Sequence, residues 1–128
     1  MTDREQIEGL LRGLYGARLR GDLDAMCKAF ADDAVFQIAG AGQVSPVSNR
    51  AVGVDEFRPL LAVMIKTFKL RDQVILAILI DGTKAAVHWR AGVYSRITGT
   101  IALTEFVALV DIRDARIASY LEFFAPRG

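Results

Sequence analysis

Residues 21–36 decide the fold, and they read GDLDAMCKAFADDAVF. Gly21 is suited to end one helix, and Asp22 is suited to cap the next, because its carboxylate can accept from free backbone N–H groups. The apolar residues after this cap recur at helical spacing as far as an acidic pair, Asp32-Asp33, where we expect the second helix to stop: they are Leu23, Met26 and Phe30. A first strand is predicted directly afterwards, beginning with Val35, Phe36 and Ile38.

Two further helices are predicted on either side of this segment. Residues 3–20 carry apolar side chains at i, i+3, i+4 and i+7, which is typical of an amphipathic helix: Ile7, Leu10, Leu11 and Leu14. Residues 39–53 are rich in Gly, Ser and Pro and predict an irregular loop with room for one short strand. A third helix is then indicated by apolar residues at helical spacing: Phe57, Leu60, Leu61, Met64, Ile65 and Phe68.

From Lys69 onward the pattern changes to strands. Residues 74–80 are continuously apolar, and residues 84–96, 100–111 and 116–124 follow as further strand segments. The predicted turns between them are Asp81-Gly82, Thr98-Gly99 and Asp114-Ala115. Helices that come first and a strand meander that comes second predict one α+β domain over residues 1–128, with helices packed on one face of a curved, mostly antiparallel sheet.

The bulk composition narrows the possible partners. The chain has 128 residues and a net charge of +1, so it offers no one-signed field to attract a nucleic acid or an anionic membrane surface. Apolar residues make up 52% of the chain, which favours a homodimer that covers surplus apolar surface. The charged N-terminus and the absence of a long apolar run predict a cytoplasmic protein. The single cysteine, Cys27, is expected to pack as a small buried hydrophobe.

Apolar and polar side chains alternate along residues 84–96, and this pattern predicts which side chains face the helices. The apolar set should point inward: Ala85, Val87, Trp89, Ala91 and Val93. Pairing about Thr98-Gly99 places Trp89 opposite Ala108, Ala91 opposite Phe106 and Val93 opposite Thr104. The same register around the next turn places Phe106 opposite Glu122, Ala108 opposite Tyr120 and Thr104 opposite Phe124. Tyr120, Glu122 and Phe124 are therefore predicted to point inward.

Glu122 is the candidate for chemistry in this predicted interior. Desolvation among aromatic rings would raise the pKa of its carboxyl toward a range useful for general acid or base catalysis. Two structural alternatives remain open: a hydrogen-bonded anchor to Tyr15 or Tyr120, or a position at a wet rim. Tyr15 lies beside the apolar stripe of the first helix, so its hydroxyl is expected either to enter the cavity or to be satisfied within the core.

The outer face of the sheet is predicted to carry the remaining polar groups. His88 is the only histidine, which excludes a multi-histidine metal site. It alternates with the inward residues Val87 and Trp89, so its side chain is predicted to point outward. Arg90 shares that face with Glu105, and we expect the two to form a structural ion pair. The apolar outward residues are predicted to lie between subunits: Val107, Leu109, Leu121 and Phe123.

The segments Gly21-Asp22-Leu23-Asp24 and Phe30-Ala31-Asp32-Asp33-Ala34 resemble the nuclear transport factor 2-like superfamily, which includes ketosteroid isomerases and SnoaL-like polyketide cyclases. The late segment Tyr120-Leu121-Glu122-Phe123-Phe124 is similar to the closing strand of SnoaL-like proteins. The resemblance implies a cone, in which a bent sheet and three helices on its concave face enclose an apolar cavity.

The resemblance also sets expectations for the reaction. Ketosteroid isomerases use an aspartate base and an oxyanion hole made by a tyrosine and a protonated aspartate. The matching positions here are Ile38, Leu14 and approximately Thr104, so the isomerase residues are not retained, and Tyr15 is one residue from the tyrosine position. Limonene epoxide hydrolases use two aspartates and an arginine, whereas here we predict one inward acid and no inward arginine.

SnoaL-like cyclases use an acidic residue on a late strand as a base, and Glu122 is the nearest counterpart. We therefore predict an apolar pocket for a small cyclic or polyketide-like molecule, with no cofactor and no metal. The predicted pocket residues are Trp89, Phe106, Phe124, Ile38, Phe57, Met64 and Thr104.

Two other functions remain open at this point. A cofactor-free isomerase, cyclase or hydrolase would use Glu122 as general acid or base, with Tyr15 or Tyr120 orienting the substrate and Trp89 and Phe106 stacking on it. A purely structural dimerisation module would have its interior filled by Trp89, Met64 and Phe57.

Overall fold

A computed structural model of the chain describes residues 3–40 and 49–127, and every structural statement below concerns those residues. Residues 41–48 of the predicted loop lie outside them. The described part contains three helices and six strands in the order α1 (Asp3–Arg20), α2 (Leu23–Lys28), β1 (Phe30–Gly40), β2 (Asn49–Val52), α3 (Val54–Thr67), β3 (Phe68–Asp81), β4 (Lys84–Ser95), β5 (Ile101–Arg113) and β6 (Arg116–Arg127).

The strands form one curved, unclosed sheet in the order β2-β1-β6-β5-β4-β3. All neighbouring strands are antiparallel except β1 and β6, which run parallel. The helices cover the inner face, so the predicted α+β cone is confirmed. None of the helices in these residues is long and apolar enough to cross a membrane.

The junction between α1 and α2 is set by two consecutive residues. Gly21 has φ 72° and donates to the Arg18 carbonyl, while the Asp22 N–H donates to the Ala17 carbonyl, which is the hydrogen-bond pattern of a Schellman motif. The Asp22 carboxylate then accepts from the Ala25 N–H at 3.1 Å and caps α2. The sequence prediction for both residues is confirmed, and the motif fixes the last turn of α1, where Arg18 lies.

Two predicted boundaries are wrong. The second helix ends at Lys28, and Phe30 begins β1, where its ring packs against Phe36, Phe57 and Tyr120. Asp32-Asp33 therefore lie within a strand and do not stop a helix. Phe68 likewise belongs to β3, because the third helix ends at Thr67. In both cases a phenylalanine that continues the helical spacing is the first residue of a strand, since tertiary packing overrides a short periodic pattern.

The predicted strand register is off by two residues, although the inward set is right. Trp89 lies opposite Phe106, not Ala108, because β4 and β5 are joined by a longer loop, in which the Ser95 N–H bonds to the Thr100 carbonyl. Phe106 lies opposite Phe124, not Glu122. A shift of two residues keeps each side chain on the same face of the sheet.

A β-bulge in β6 is what turns Glu122 inward. The two-residue turn Asp114-Ala115 pairs Arg113 with Arg116, and both turn residues have positive φ, 52° and 62°. Continued without interruption, that register would place Phe106 opposite Phe123 and Glu122 on the outer face. Ala118 is skipped between the Ile112–Ile117 and Asp111–Ser119 pairs, which restores the inward phase for Glu122.

Candidate functional site

A cavity of about 370 Å³ lies between the helices and the inner face of the sheet. Its polar lining is limited to a few groups, with Arg18 and Glu122 as the two charged residues, and Ser95, Thr100 and Pro126 lie at its more exposed end. Most of the wall is apolar: Met26, Ile38, Leu60, Met64, Ile65, Phe68, Leu70, Val93, Ala102, Phe106 and Phe124. This volume is within the range of small-molecule sites in proteins.

Arg18 and Glu122 form a buried ion pair at this cavity. Arg18 Nη1 donates to Glu122 Oε1 at 2.6 Å, and the two residues are 104 positions apart in the chain. The side chain of Glu122 is 0% exposed and that of Arg18 is 12% exposed. The pair joins the last turn of α1 to the middle of β6, so it fixes one helix on the sheet as well as the charge balance of the cavity wall.

Two tyrosine hydroxyls form a hydrogen-bond chain that ends at Glu122. Tyr120 donates to Glu122 Oε1 at 2.8 Å, and the Tyr15 and Tyr120 hydroxyl oxygens are 2.8 Å apart. Because the Tyr120 proton is used on Glu122, Tyr15 must donate to Tyr120. Hydrogen bonds therefore run from Tyr15 through Tyr120 to one carboxylate oxygen, which also accepts from Arg18.

An aromatic platform holds the guanidinium of Arg18. The rings of Trp89 and Phe106 stack with centroids 3.8 Å apart and an interplanar angle of 7°. Arg18 Cζ lies 4.9 Å from the Trp89 ring centroid and 5.6 Å from that of Phe106, within the range of cation–π attraction. Trp89 is fully buried, so its ring supports Arg18 rather than the cavity surface.

The burial of this cluster changes its titration. Burial raises the pKa of the Tyr120 hydroxyl well above its ordinary value, and the negative charge of Glu122 raises it further. The pKa of Tyr15 is raised for the same two reasons. Burial by itself lowers the pKa of Arg18, but the charge and hydrogen bond of Glu122, together with smaller effects of Tyr120 and Tyr15, outweigh burial and leave the pKa above the ordinary value. Both tyrosines are therefore neutral donors, and Arg18 is a permanent cation.

The second carboxylate oxygen of Glu122 differs from the first. Glu122 Oε2 is buried and has no hydrogen-bond partner among the residues that the structure describes. An unpaired carboxylate oxygen in an apolar environment is costly, so it is a strong acceptor for any donor that reaches it. Within residues 3–40 and 49–127, no group of three or more His, Cys, Asp or Glu side chains could hold a metal ion.

A family model described as a SnoaL-like domain matches residues 11–120. The chain belongs to this SnoaL-like domain family. The matched range includes Tyr15 and Arg18 and stops two residues before Glu122. No curated protein matches the sequence significantly.

Solved structures with the same fold come from several bacteria. A candidate isomerase from Bacillus subtilis has a TM-score of 0.87 at 16% identity, covering 98% of this chain and 90% of its own. A candidate polyketide cyclase from Xanthomonas campestris pv. campestris has a TM-score of 0.76 at 25% identity, covering 95% and 92%. An LEH-like epoxide hydrolase from M. tuberculosis has a TM-score of 0.75 at 17% identity, covering 94% and 84%. Together they confirm the fold of this SnoaL-like domain.

The structure brings five of the seven predicted pocket residues to the cavity of the SnoaL-like domain, and it brings Glu122 there as well. The five are Ile38, Met64, Thr104, Phe106 and Phe124. The hydroxyl of Thr104 is already used, because it donates to the Ala102 carbonyl at 3.1 Å.

Trp89 and Phe57 do not reach the cavity wall. Phe57 is fully buried, with ring centroids 5.0 Å from Phe30 and 6.0 Å from Phe36. Trp89 lies behind Phe106, as described above. Tyr15 and Tyr120 also stay out of the wall, so neither hydroxyl is placed to orient a ligand. Tyr120 instead donates to Glu122, and Tyr15 donates to Tyr120. Because a cavity remains, the interior is not filled by Trp89, Met64 and Phe57 as a purely structural module would require.

Arg18 is the site residue that the sequence reasoning missed, since no inward arginine was expected. Its position continues the apolar stripe, because it follows Leu11 by seven residues and Leu14 by four. A charged residue at the end of such a stripe normally points to solvent, and only an acid on the facing strand makes burial favourable. The predicted inward direction of Glu122 was therefore the observation that could have indicated a buried arginine opposite it.

On the outer face of the sheet, the predicted ion pair between Arg90 and Glu105 does not form. Glu105 lies opposite Arg90 in the strand register, but its carboxylate pairs with His88 at 3.4 Å and with Arg127 at 3.3 Å. The predicted Arg90–Glu105 ion pair is thus replaced by a different pairing of the same carboxylate. His88 lies on the outer face, away from the cavity.

Proposed function

We propose that the cavity of this SnoaL-like domain binds a small, largely apolar molecule of the cyclic or polyketide-like kind. The observation that carries this proposal is an apolar cavity of about 370 Å³ with a single buried ion pair, Arg18–Glu122, in its wall. The apolar wall would bind rings by burying their surface, and the ion pair would fix their orientation. The likeness at 25% identity to a candidate polyketide cyclase supports the same ligand class.

Fluorescence of the sole tryptophan offers a direct test. Trp89 stacks on Phe106, which lines the cavity, so a ring bound there should change its emission saturably. Ala102→Phe would fill the cavity from β5, and we expect it to abolish binding without loss of the folded state. Val63→Phe, on the exposed surface of α3, is the matched control and should bind normally. Absence of saturable binding for every apolar ring compound tried would refute the proposal.

A second candidate function is cofactor-free proton transfer, as in an isomerase, cyclase or hydrolase, with Glu122 as general acid or base. The unpartnered Oε2 supports this candidate, because a base needs a free lone pair. Tyr120 and Arg18 would hold the other oxygen in place. Glu122 is 0% exposed, so a substrate would have to displace part of the wall to reach it.

Isotope exchange separates catalysis from binding. A bound ring ketone in D₂O should exchange the proton on the carbon next to its carbonyl, because the base removes it and solvent deuterium replaces it. Glu122→Gln should bind the ketone and stop the exchange. Equal exchange rates in the two proteins would remove Glu122 from any mechanism.

We also propose that the domain is a homodimer through the outer face of the sheet. Large apolar side chains are exposed there, including Leu79 at 67%, Leu109 at 47% and Phe123 at 44%. Leu109 lies opposite Leu121 and Ala86 in the strand register, which makes the apolar surface continuous across three strands. A surface of this kind on a small domain usually marks an interface.

A further inference from the structure

Among the described residues, Arg18 is the one cation that lines the cavity. Arg18 is the more exposed member of the ion pair, and among the described residues it uses only Nη1 as a hydrogen-bond donor. A guanidinium carries five N–H donors, so several are free for an acceptor in the cavity. The Trp89–Phe106 platform keeps the guanidinium in place without using any of them.

The charge of Arg18 is already balanced. Glu122 Oε1 lies 2.6 Å away, and no other ionisable residue lines the cavity within the described part of the chain. A ligand with its own negative charge would therefore lie near a second carboxylate in a mainly apolar space, where like charges repel strongly. A neutral oxygen acceptor meets no such repulsion and gains a charge-assisted hydrogen bond.

We infer that the ligand is an uncharged carbonyl compound, such as a ring ketone, lactone or quinone, whose oxygen accepts from Arg18, and that Glu122 selects against acids. This inference rests on the proposed binding function and names the chemistry that the same cavity accepts. Arg18 is the specificity-determining donor, and Glu122 sets the preferred charge of the ligand.

Three naphthalenes substituted at the same ring position provide the test: acetylnaphthalene, ethylnaphthalene and naphthoate. They share shape and ring size and differ in acceptor and charge. Calorimetric titration should show acetylnaphthalene binding about tenfold tighter than ethylnaphthalene, because of one hydrogen bond to a charged donor. Naphthoate should bind more weakly than acetylnaphthalene.

The role of the Glu122 charge is tested by a separate variant. Glu122→Gln removes the negative charge with little change of shape and leaves Arg18 uncompensated, so naphthoate should become the tightest ligand of the three. Arg20→Gln removes a comparable cation from the exposed surface of α1, where it pairs with Asp22, and should keep the order of the unmodified protein.

The possible results separate this inference from the proposal beneath it. No binding of any of the three compounds would overturn both. Binding of ethylnaphthalene as tight as that of acetylnaphthalene, or naphthoate as the tightest ligand of the unmodified protein, would overturn only the inference. Both comparisons use the unmodified protein, so they decide the matter even if Glu122→Gln does not fold. A folded Glu122→Gln that keeps the original order would also contradict it.

Discussion

Among single residues, Arg18 and Glu122 form the least exposed ion pair in the described part of the chain. A buried pair need not stabilise a fold relative to an apolar pair, but removal of one partner leaves a charge without compensation. Here the remaining charge would belong to Glu122, which is fully buried. The hydrogen bond from Tyr120 would be the only one left to it among those that the structure describes.

Arg18→Met should therefore be severely destabilising. We expect the free energy of unfolding to fall by about 3–5 kcal/mol, because methionine fills the space and leaves Glu122 unpaired. The measurement is urea unfolding at neutral pH. Arg20→Met is the control, since Arg20 is 63% exposed and its ion pair spans 3.8 Å, and it should cost less than about 1 kcal/mol. Similar losses for both variants would mean that the buried pair contributes nothing special.

The two tyrosines predict how stability depends on alkaline pH. Their folded-state pKa values are raised above the ordinary 10.0, so the unfolded chain loses those protons first. The stability that they contribute is complete below pH 10 and falls as pH rises above it, by up to about 1.4 kcal/mol per pH unit for each tyrosine.

Tyr15→Phe should make this decline less steep, because one of the two groups can no longer ionise in the unfolded chain. Thermal unfolding measured between pH 8 and pH 11 would reveal the difference. An identical slope in the variant and in the unmodified protein would show that Tyr15 ionises equally well in the folded and unfolded states.

At the scale of elements, the β5–β6 hairpin matters most, because its turn and its bulge together orient Glu122. The turn residues Asp114 and Ala115 both have positive φ, which a side chain with a Cβ adopts at a cost. The strand pairing on either side holds them there. Glycine would be preferred at the second position of such a turn.

Ala115→Gly should stabilise the domain by about 1 kcal/mol, because glycine relieves the strain at φ 62°. The midpoint of urea unfolding should rise with an unchanged slope. Ala125→Gly, in the regularly paired part of β6 opposite Glu105, is the matched control and should destabilise by about 0.5–1 kcal/mol, since glycine weakens a strand interior. A lower midpoint for Ala115→Gly would contradict the assigned turn geometry.

At the scale of the whole molecule, the two faces of the sheet present different kinds of surface. The inner face carries the cavity and its ion pair, and the outer face carries exposed apolar side chains around the polar group of His88, Glu105 and Arg127. A dimer through the outer face would leave the cavity available, because helices and cavity lie on the opposite side. Binding and assembly should therefore be separable by mutation.

Leu109→Glu should convert the proposed dimer to a monomer, because it places a charge in the centre of the outer face. Sedimentation equilibrium at micromolar concentration gives the mass directly. Val63→Glu introduces the same charge at an exposed site on α3 and should leave the dimer intact. A monomeric mass for the unmodified chain would contradict the assembly proposal.

Local patterns account for the parts of the fold that could be predicted. The Gly21-Asp22 junction, the three helices and the inward set on β4 follow from capping chemistry and from the 3.6- and two-residue periods, which act between near neighbours. Glu122 was placed inward by parity, even though the register was wrong by two residues. Phe30 and Phe68 were misassigned because a few apolar residues fit either period.

The fold class and the inward set on β4 depend on backbone geometry and short-range spacing, so both could be predicted from the sequence. The inward direction of Glu122 depends in addition on the bulge at Ala118. The contact between Arg18 and Glu122, the packing of Trp89 and Phe57 behind the cavity wall, and the cavity itself could not be predicted in this way. Those features depend on how side chains about a hundred positions apart fill one shared space. Packing of that kind is a property of the whole interior, and no local pattern encodes it.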